Sequence, residues 1–268
     1  MLRFRKTWVK LVAMKSLKIA SAADIHATEE HAEKLHEAFE QAAAEADVIM
    51  LAGDLTADGE VSEAEVLAGA CRPLDIPVFA VLGNHDYHLG NQEQIAEALR
   101  RAGVRVLVRD AAVCEVNGIE LGVVGTKGFV GGFPGSTLPD FGEPLLRQVY
   151  AETTEEARAI GRGLRKVSHC PLRVVLLHYA PIADTLEGEP PGIHAFLGSS
   201  RLGNPIQEYR PDVVLHGHAH AGSFQGRLGD VPVYNVAVHV TGRDFYVFDL
   251  EVIARGRSEV EVEGIAGT

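Results

Sequence analysis

Three observations predict an α/β fold of two packed sheets flanked by helices. Strand-length apolar runs alternate with helical stretches as far as residue 102, short strands crowd together from Gly103 onward, and 46% hydrophobic residues in a chain of 268 supply a large core. Residues 17–23 form a short apolar strand, and residues 29–46 carry Ala32, Leu35, Phe39 and Ala42 at helical spacing. Residues 47–51 and 77–82 repeat the strand, while residues 62–71 and 91–102 repeat the helix, the latter with Ile95, Leu99 and Ala102 on one face. Such alternation calls for βαβ crossovers and a largely parallel sheet.

Beyond Gly103, residues 104–107, 111–116 and 119–124 gather around an Asn117-Gly118 turn and are expected to begin the second sheet. Residues 145–167 read as a long polar helix, and 172–177 and 212–215 as buried strands. Residues 222–228, 231–238, 245–251 and 258–263 alternate like antiparallel strands. Two loops stand apart: 125–142, with Phe129, Phe133 and Phe141, and 181–201, with Pro190-Pro191. Long loops in compact domains are functional more often than most segments.

Charge and cysteine content narrow the function. Lys plus Arg number 25 against 37 Asp plus Glu, a formal net charge of −12, which repels nucleic-acid phosphates and anionic membrane surfaces. Neither partner is expected; an oligomer is compatible with the sequence. Cys71, Cys114 and Cys170 are far apart and lack CxxC spacing, so neither a disulfide framework nor a thiolate zinc site is indicated, and a cytoplasmic location is expected. Arg3, Arg5 and Lys6 ahead of residues 8–14 imitate a signal peptide, but Lys10, Lys15 and Lys18 interrupt the apolar part. Cleavage after Ala20, Ser21 or Ala22 would also cut the first strand. Residues 1–13 are therefore expected to be a loose basic extension with Met14 as the natural start, and 14–268 one domain.

The chemistry lies at the strand ends. Asp24-Ile25-His26 closes the first strand, Gly53-Asp54 the second and Gly83-Asn84-His85-Asp86 the third; His178 and His216-Gly217-His218-Ala219-His220 follow two later ones. Each element alone is common as a turn, a cap or a core histidine. Together they form a nitrogen and oxygen donor set, and in open α/β sheets ligands gather at the carboxyl ends of strands. His216 points away from the turn at Gly217 and is read as support or core rather than as a ligand. Lys127, His194 and Arg201 lie on the two long loops and are candidate substrate contacts. Asp86 is placed to orient His85 or to cap the following helix, the cap being favoured.

In this ordered set the chain resembles the calcineurin-like metallophosphoesterase superfamily over roughly residues 17–250. The resemblance implies a four-layer αββα sandwich of two mixed β-sheets. It also implies two divalent or mixed-valence ions, with Mn, Fe and Zn the leading choices. Asp24, His26, Asp54 and His220 would hold one ion, and Asp54, Asn84, His178 and His218 the other. By the same resemblance, two cations about 3.5–4 Å apart would supply a bridging hydroxide for in-line attack on phosphorus. His85 would act as general acid or transition-state donor, since imidazole titrates close to neutrality.

Departures from the family pattern narrow the substrate. Protein phosphatases of the superfamily carry an Asp-Arg pair where this chain has Ala57-Asp58-Gly59, which argues against phosphoproteins. The lipid-A precursor pyrophosphatases usually have Arg in place of His85. The motifs look more like the bacterial cyclic-nucleotide and glycerophosphodiester branch, so a small phosphodiester is expected. The alternatives are a phosphomonoesterase or nucleotide pyrophosphatase on the same site, and a binding scaffold like the retromer subunit of this fold, which lacks the counterpart of His85.

Overall fold

The computed structural model describes residues 15–252; the expected extension over 1–13 and the expected strand over 258–263 lie outside the described residues. Strand β1 (Lys15–Ala22) leads through a short 3-10 turn to α1 (Ala32–Glu45), then β2 (Val48–Ala52), α2 (Val61–Cys71), β3 (Val78–Val81), α3 (Gln92–Arg101) and β4 (Arg105–Val106). The hairpin of β5 (Asp110–Val116) and β6 (Ile119–Gly125) turns at Asn117 and Gly118, both with positive φ. A small ribbon, β7 (Gly132–Phe133) and β8 (Ser136–Thr137), precedes α4 (Pro144–Lys166), β9 (Leu172–Leu176), α5 (His194–Leu197) and α6 (Ser200–Tyr209). The remaining elements are β10 (Val213–His216), β11 (Gln225–Leu228), β12 (Val231–Asn235), α7 (Val238–Thr241) and β13 (Tyr246–Val252).

The strands form two large mixed sheets, ordered β13-β1-β2-β3-β4 and β11-β12-β10-β9-β6-β5. Side chains alternate across each strand, and that alternation makes the layers. In β2, Val48 and Met50 face the second sheet, where Leu121, Val123, Val174 and Leu176 join the same core; Ile49 and Leu51 face Phe39, Leu67, Ile95 and Leu99 of α1, α2 and α3. The outer face of the second sheet packs Val124, Val175 and Val214 against Ile160 and Leu164 of α4 and Leu202 and Ile206 of α6. The result is helices, sheet, sheet, helices, the four-layer αββα order. Each fully buried Leu, Ile or Phe contributes roughly 1.5–3 kcal/mol.

Two pairings differ from the sequence expectation. Residues 104–107 do not begin the second sheet: β4 pairs parallel with β3, and Leu107 N–H donates to the Ala80 carbonyl at 2.8 Å. The segment's apolar alternation fits either sheet, and the short connection from α3 delivers it to the nearer edge. The later strands are not one antiparallel set either. β12 runs parallel to β10, and β13 crosses to the first sheet, where it pairs antiparallel with β1 from Lys15↔Val252 to Ser21↔Tyr246. Patterning marks a strand's buried face but not its neighbour.

Two glycines on α4 separate packing from helix propensity. A Cβ on Gly163 would stand 2.5 Å from Val124 Cγ1, whereas one on Gly161 would meet Pro205 Cβ at an ordinary 3.6 Å. Gly161→Ala is expected to stabilise the protein by roughly 0.5–1 kcal/mol. Gly163→Ala is expected to destabilise it by about 1–3 kcal/mol, the overpacking cost exceeding the propensity gain. Urea denaturation of the two variants would test the opposite signs.

Candidate metal centre

Five segments bring polar side chains to one end of the sandwich, each just past the carboxyl end of a parallel strand. Asp24 and His26 follow β1, Asp54 follows β2, Asn84 and His85 follow β3, His178 follows β9, and His218 and His220 follow β10. The sheets are joined here by backbone: Ala23 N–H donates to the Val236 carbonyl at 3.0 Å, and Val238 N–H to the Ala23 carbonyl at 3.1 Å. Asp24, His26, Asp54 and His218 have φ of 58°, 48°, 50° and 72°, in the left-handed region. Such backbone costs of order 1–3 kcal/mol per residue and clusters at functional sites.

Ligand-type atoms of Asp24, His26 and His220 lie within 4.8 Å of one another, and so do those of Asp54, His178 and His218. A third set, His26, Asp54 and His85, ties the two together. Asn84 Oδ1 stands 2.9 Å from His178 Nε2 and so joins the second set. All donors are nitrogen or oxygen, the chemistry that suits Mn, Fe or Zn. The cradle is tight: a Cβ on Gly83 would stand 2.1 Å from Asp54 Oδ1, and one on Gly53, whose φ is 87°, 2.5 Å from His178 Nδ1. These residues fit a bound metal pair, and the sequence-predicted ligands all share this one cluster.

Backbone carbonyls orient the rings. His178 Nδ1–H donates to Ala52 O at 2.9 Å, leaving Nε2 toward Asp54 Oδ1 at 3.3 Å. His218 Nε2–H donates to Phe196 O at 3.2 Å, leaving Nδ1 for the cluster. His216 is buried outside the cluster, donating from Nδ1 to Gly217 O and accepting the Thr185 hydroxyl, both at 2.9 Å. Burial pushes its pKa down to about 4 and keeps it neutral.

Two buried carboxylates demand positive charge. Burial opposes ionisation of Asp54, but His178 and the His85 N–H, at 2.8 Å, hold its carboxyl well below the usual range. Asp24 is likewise held low against its burial by His220, whose Nε2 lies 2.9 Å from Oδ1. For His178, burial is outweighed by Asp54 and Asp24, and the imidazole is raised to about 9. For His218, burial and the neighbouring His178 push the pKa down to about 3.

Asp86 neither caps a helix nor touches the His85 ring. Its carboxylate accepts four donors: Gly83 N–H at 2.7 Å, Leu55 N–H at 3.2 Å, Thr56 N–H at 2.9 Å and the Thr56 hydroxyl at 2.6 Å. It clamps the turn bearing Asp54 to the turn bearing His85. The helix-cap expectation failed because its carboxylate is drawn inward by these donors. His85 itself donates Nδ1–H to the Ala57 carbonyl at 2.5 Å and turns Nε2 toward Asp54 Oδ2, 3.9 Å away. A main-chain carbonyl thus orients this ring.

Histidines outside the motifs extend the cluster. His239 on α7 stacks on His220 with centroids 4.3 Å apart and planes 9° apart, and His88 lies 4.2 Å from His85. With His26, 4.4 Å from His85 and 5.7 Å from His220, five imidazoles form one arc. Nothing in the spacing of His88 or His239 marks them. Of the loop candidates, Lys127 adjoins the His178 turn, its carbonyl accepting the N–H groups of His178 and Tyr179 at 3.0 Å. His194 Nε2–H donates to Glu189 O at 3.1 Å within its own loop. Arg201 joins α6 to α4, stacking on Tyr150 and donating to Tyr150 O and the Thr154 hydroxyl at 2.9 and 2.8 Å. No helix among the described residues is long and apolar enough to cross a membrane.

Comparison with known proteins identifies the family and the fold. An uncharacterized metallophosphoesterase of Aquifex aeolicus is 34% identical over 114 residues, 40% of this chain and 41% of that relative's length. The fold is shared with the phosphopantetheinyl hydrolase of Mycobacterium tuberculosis at a TM-score of 0.62 and 14% identity, covering 88% of this chain and 96% of that one. It is also shared with a putative 5'-nucleotidase of Staphylococcus aureus (TM-score 0.56, 16% identity, 90% and 55% covered). GAP50, the anchor in the inner membrane complex of Plasmodium, is a further match (TM-score 0.52, 13% identity, 84% and 72% covered). The model of the calcineurin-like phosphoesterase family matches residues 17–222, and the chain belongs to that family.

Proposed function

We infer that this protein is a metal-dependent phosphoric ester hydrolase whose preferred substrate is a small phosphodiester. One observation carries the reading: the set of Asp24, His26 and His220 and the set of Asp54, His178 and His218 are linked by a third, His26, Asp54 and His85. Because an anchor protein has the same fold, the case rests on side chains rather than architecture. Asp24, His26, Asp54 and His220 would hold one ion, and Asp54, Asn84, His178 and His218 the other. Bound there, two divalent ions of Mn, Fe or Zn supply Lewis acidity and a water acidified toward neutrality.

The chain's own residues do the rest. Asp54, buried and ionised, would be the ligand common to both ions, and the Asp86 clamp holds its turn to the His85 turn. His85 commits Nδ1–H to Ala57, so Nε2 is the nitrogen that holds the proton for the leaving oxygen. The ring is about one-third exposed, which lets solvent replace that proton. Two carboxylates only partly neutralise two divalent cations, so the loaded site attracts anionic esters to a chain of net charge −12.

Metal-stripped protein reconstituted with Mn²⁺ is expected to hydrolyse bis(p-nitrophenyl) phosphate faster than p-nitrophenyl phosphate. The reverse order would transfer the assignment to a phosphomonoesterase, and no rate on either would favour a scaffold. His85→Ala is expected to keep its metals, measured by elemental analysis, and to lose roughly 10²- to 10⁴-fold in rate; an undiminished rate would remove His85 from the chemistry. Metal uptake supplies an activity-independent check. His178, raised to about 9, is protonated at neutral pH, so its ligation releases that proton, and less of it as pH rises through 9. Calorimetric titration in buffers of different ionisation enthalpy measures that release, and identical heats in all buffers would contradict it.

A further inference from the structure

Lys127 follows the carboxyl end of β6, next to the turn that carries His178. Its ammonium is wedged between the Tyr87 ring, from the turn bearing Asn84 and His85, and the Tyr179 ring, with centroids 5.3 and 5.0 Å away. Phe129 closes a third side at 4.3 Å. Tyr179 packs in turn on His218, ring centroids 4.3 Å apart. A cation therefore stands one aromatic ring from the Asn84, His178 and His218 end of the cluster.

The protein answers that cation incompletely. An ammonium offers three donors, and the Gly128 carbonyl accepts at 3.2 Å. Glu152 and Glu156 bear on it electrostatically, but both are engaged by Arg109, and Glu156 also takes the Gly128 N–H and the Thr126 hydroxyl. Among the described residues no carboxylate forms an ion pair with Lys127 within 4.0 Å. A half-buried cation with no contacting anion keeps donors available to a ligand.

We propose that Lys127 is a specificity residue whose ammonium receives a second phosphoryl group of the substrate, selecting esters that carry a further phosphate beside the scissile one. The proposal rests on the reading of the cluster as the holder of the scissile phosphate. Three rings fix the ammonium by cation–π contact without neutralising it, which leaves donors for an anion.

The test reads binding rather than turnover. The manganese-loaded protein is titrated calorimetrically with propyl phosphate and with propane-1,3-diol bisphosphate, which differ by one phosphoryl group. The wild type is expected to bind the bisphosphate roughly tenfold more tightly or better. Lys127→Met should reduce that preference to the statistical advantage of a ligand with two equivalent ends. Equal affinities in the wild type, binding of neither ligand, or a Lys127→Met loss that falls equally on both would overturn the proposal. The wild-type comparison decides alone if the variant does not fold. A protein that keeps the preference yet hydrolyses no ester would refute the hydrolase reading and leave the anion site standing.

Discussion

Asp54 is the group on which the arrangement of this end of the molecule depends. A carboxylate buried at the junction of two sheets is tolerable only if charge and hydrogen-bond donors converge on it. His178 arrives from the second sheet, and the His85 N–H from the neighbouring turn of the first. Gly83 is glycine because its Cβ would collide with that carboxylate. Asp86 then binds the turns of Asp54 and His85 to each other through main-chain donors, so the acid and its surroundings move as one body. The hydrophobic layers set the two sheets at a fixed separation, and the carboxylate at their shared end uses that rigidity.

Much of this was legible in the residues. The alternation of strand and helix up to Ala102 placed three parallel-strand ends in order, two later buried strands supplied the others, and the polar residues after each were visible as motifs. Strand partnership was not, because Val106 and Phe248 are apolar in a pattern that either sheet could accept. The pairing is decided by crossover length and by contacts remote in sequence.

The parts of the site hidden from the sequence share one property: they are made by the main chain or by stacking. The Ala57 carbonyl orients His85 although alanine has no side-chain acceptor, and the Ala52 and Phe196 carbonyls select the tautomers of His178 and His218. A carbonyl has no residue type to betray it. The left-handed backbone of Asp24, His26, Asp54 and His218 is equally silent, since none is the glycine that usually announces positive φ. His239 becomes part of the cluster only because α7 sets its ring over His220.

The pairing of β13 beside β1 ties the assembly of the centre to the order of synthesis. Strand β1, which delivers Asp24 and His26, lies between β2 and β13, so one of its edges stays unpaired until residues 246–252 have been made. The candidate ligands themselves are spread from Asp24 to His220. A growing chain on the ribosome therefore holds its first donors long before their partners exist. The donor set is complete only after His220 has been made, and the strand that carries Asp24 and His26 is paired on both edges only after β13 has joined it.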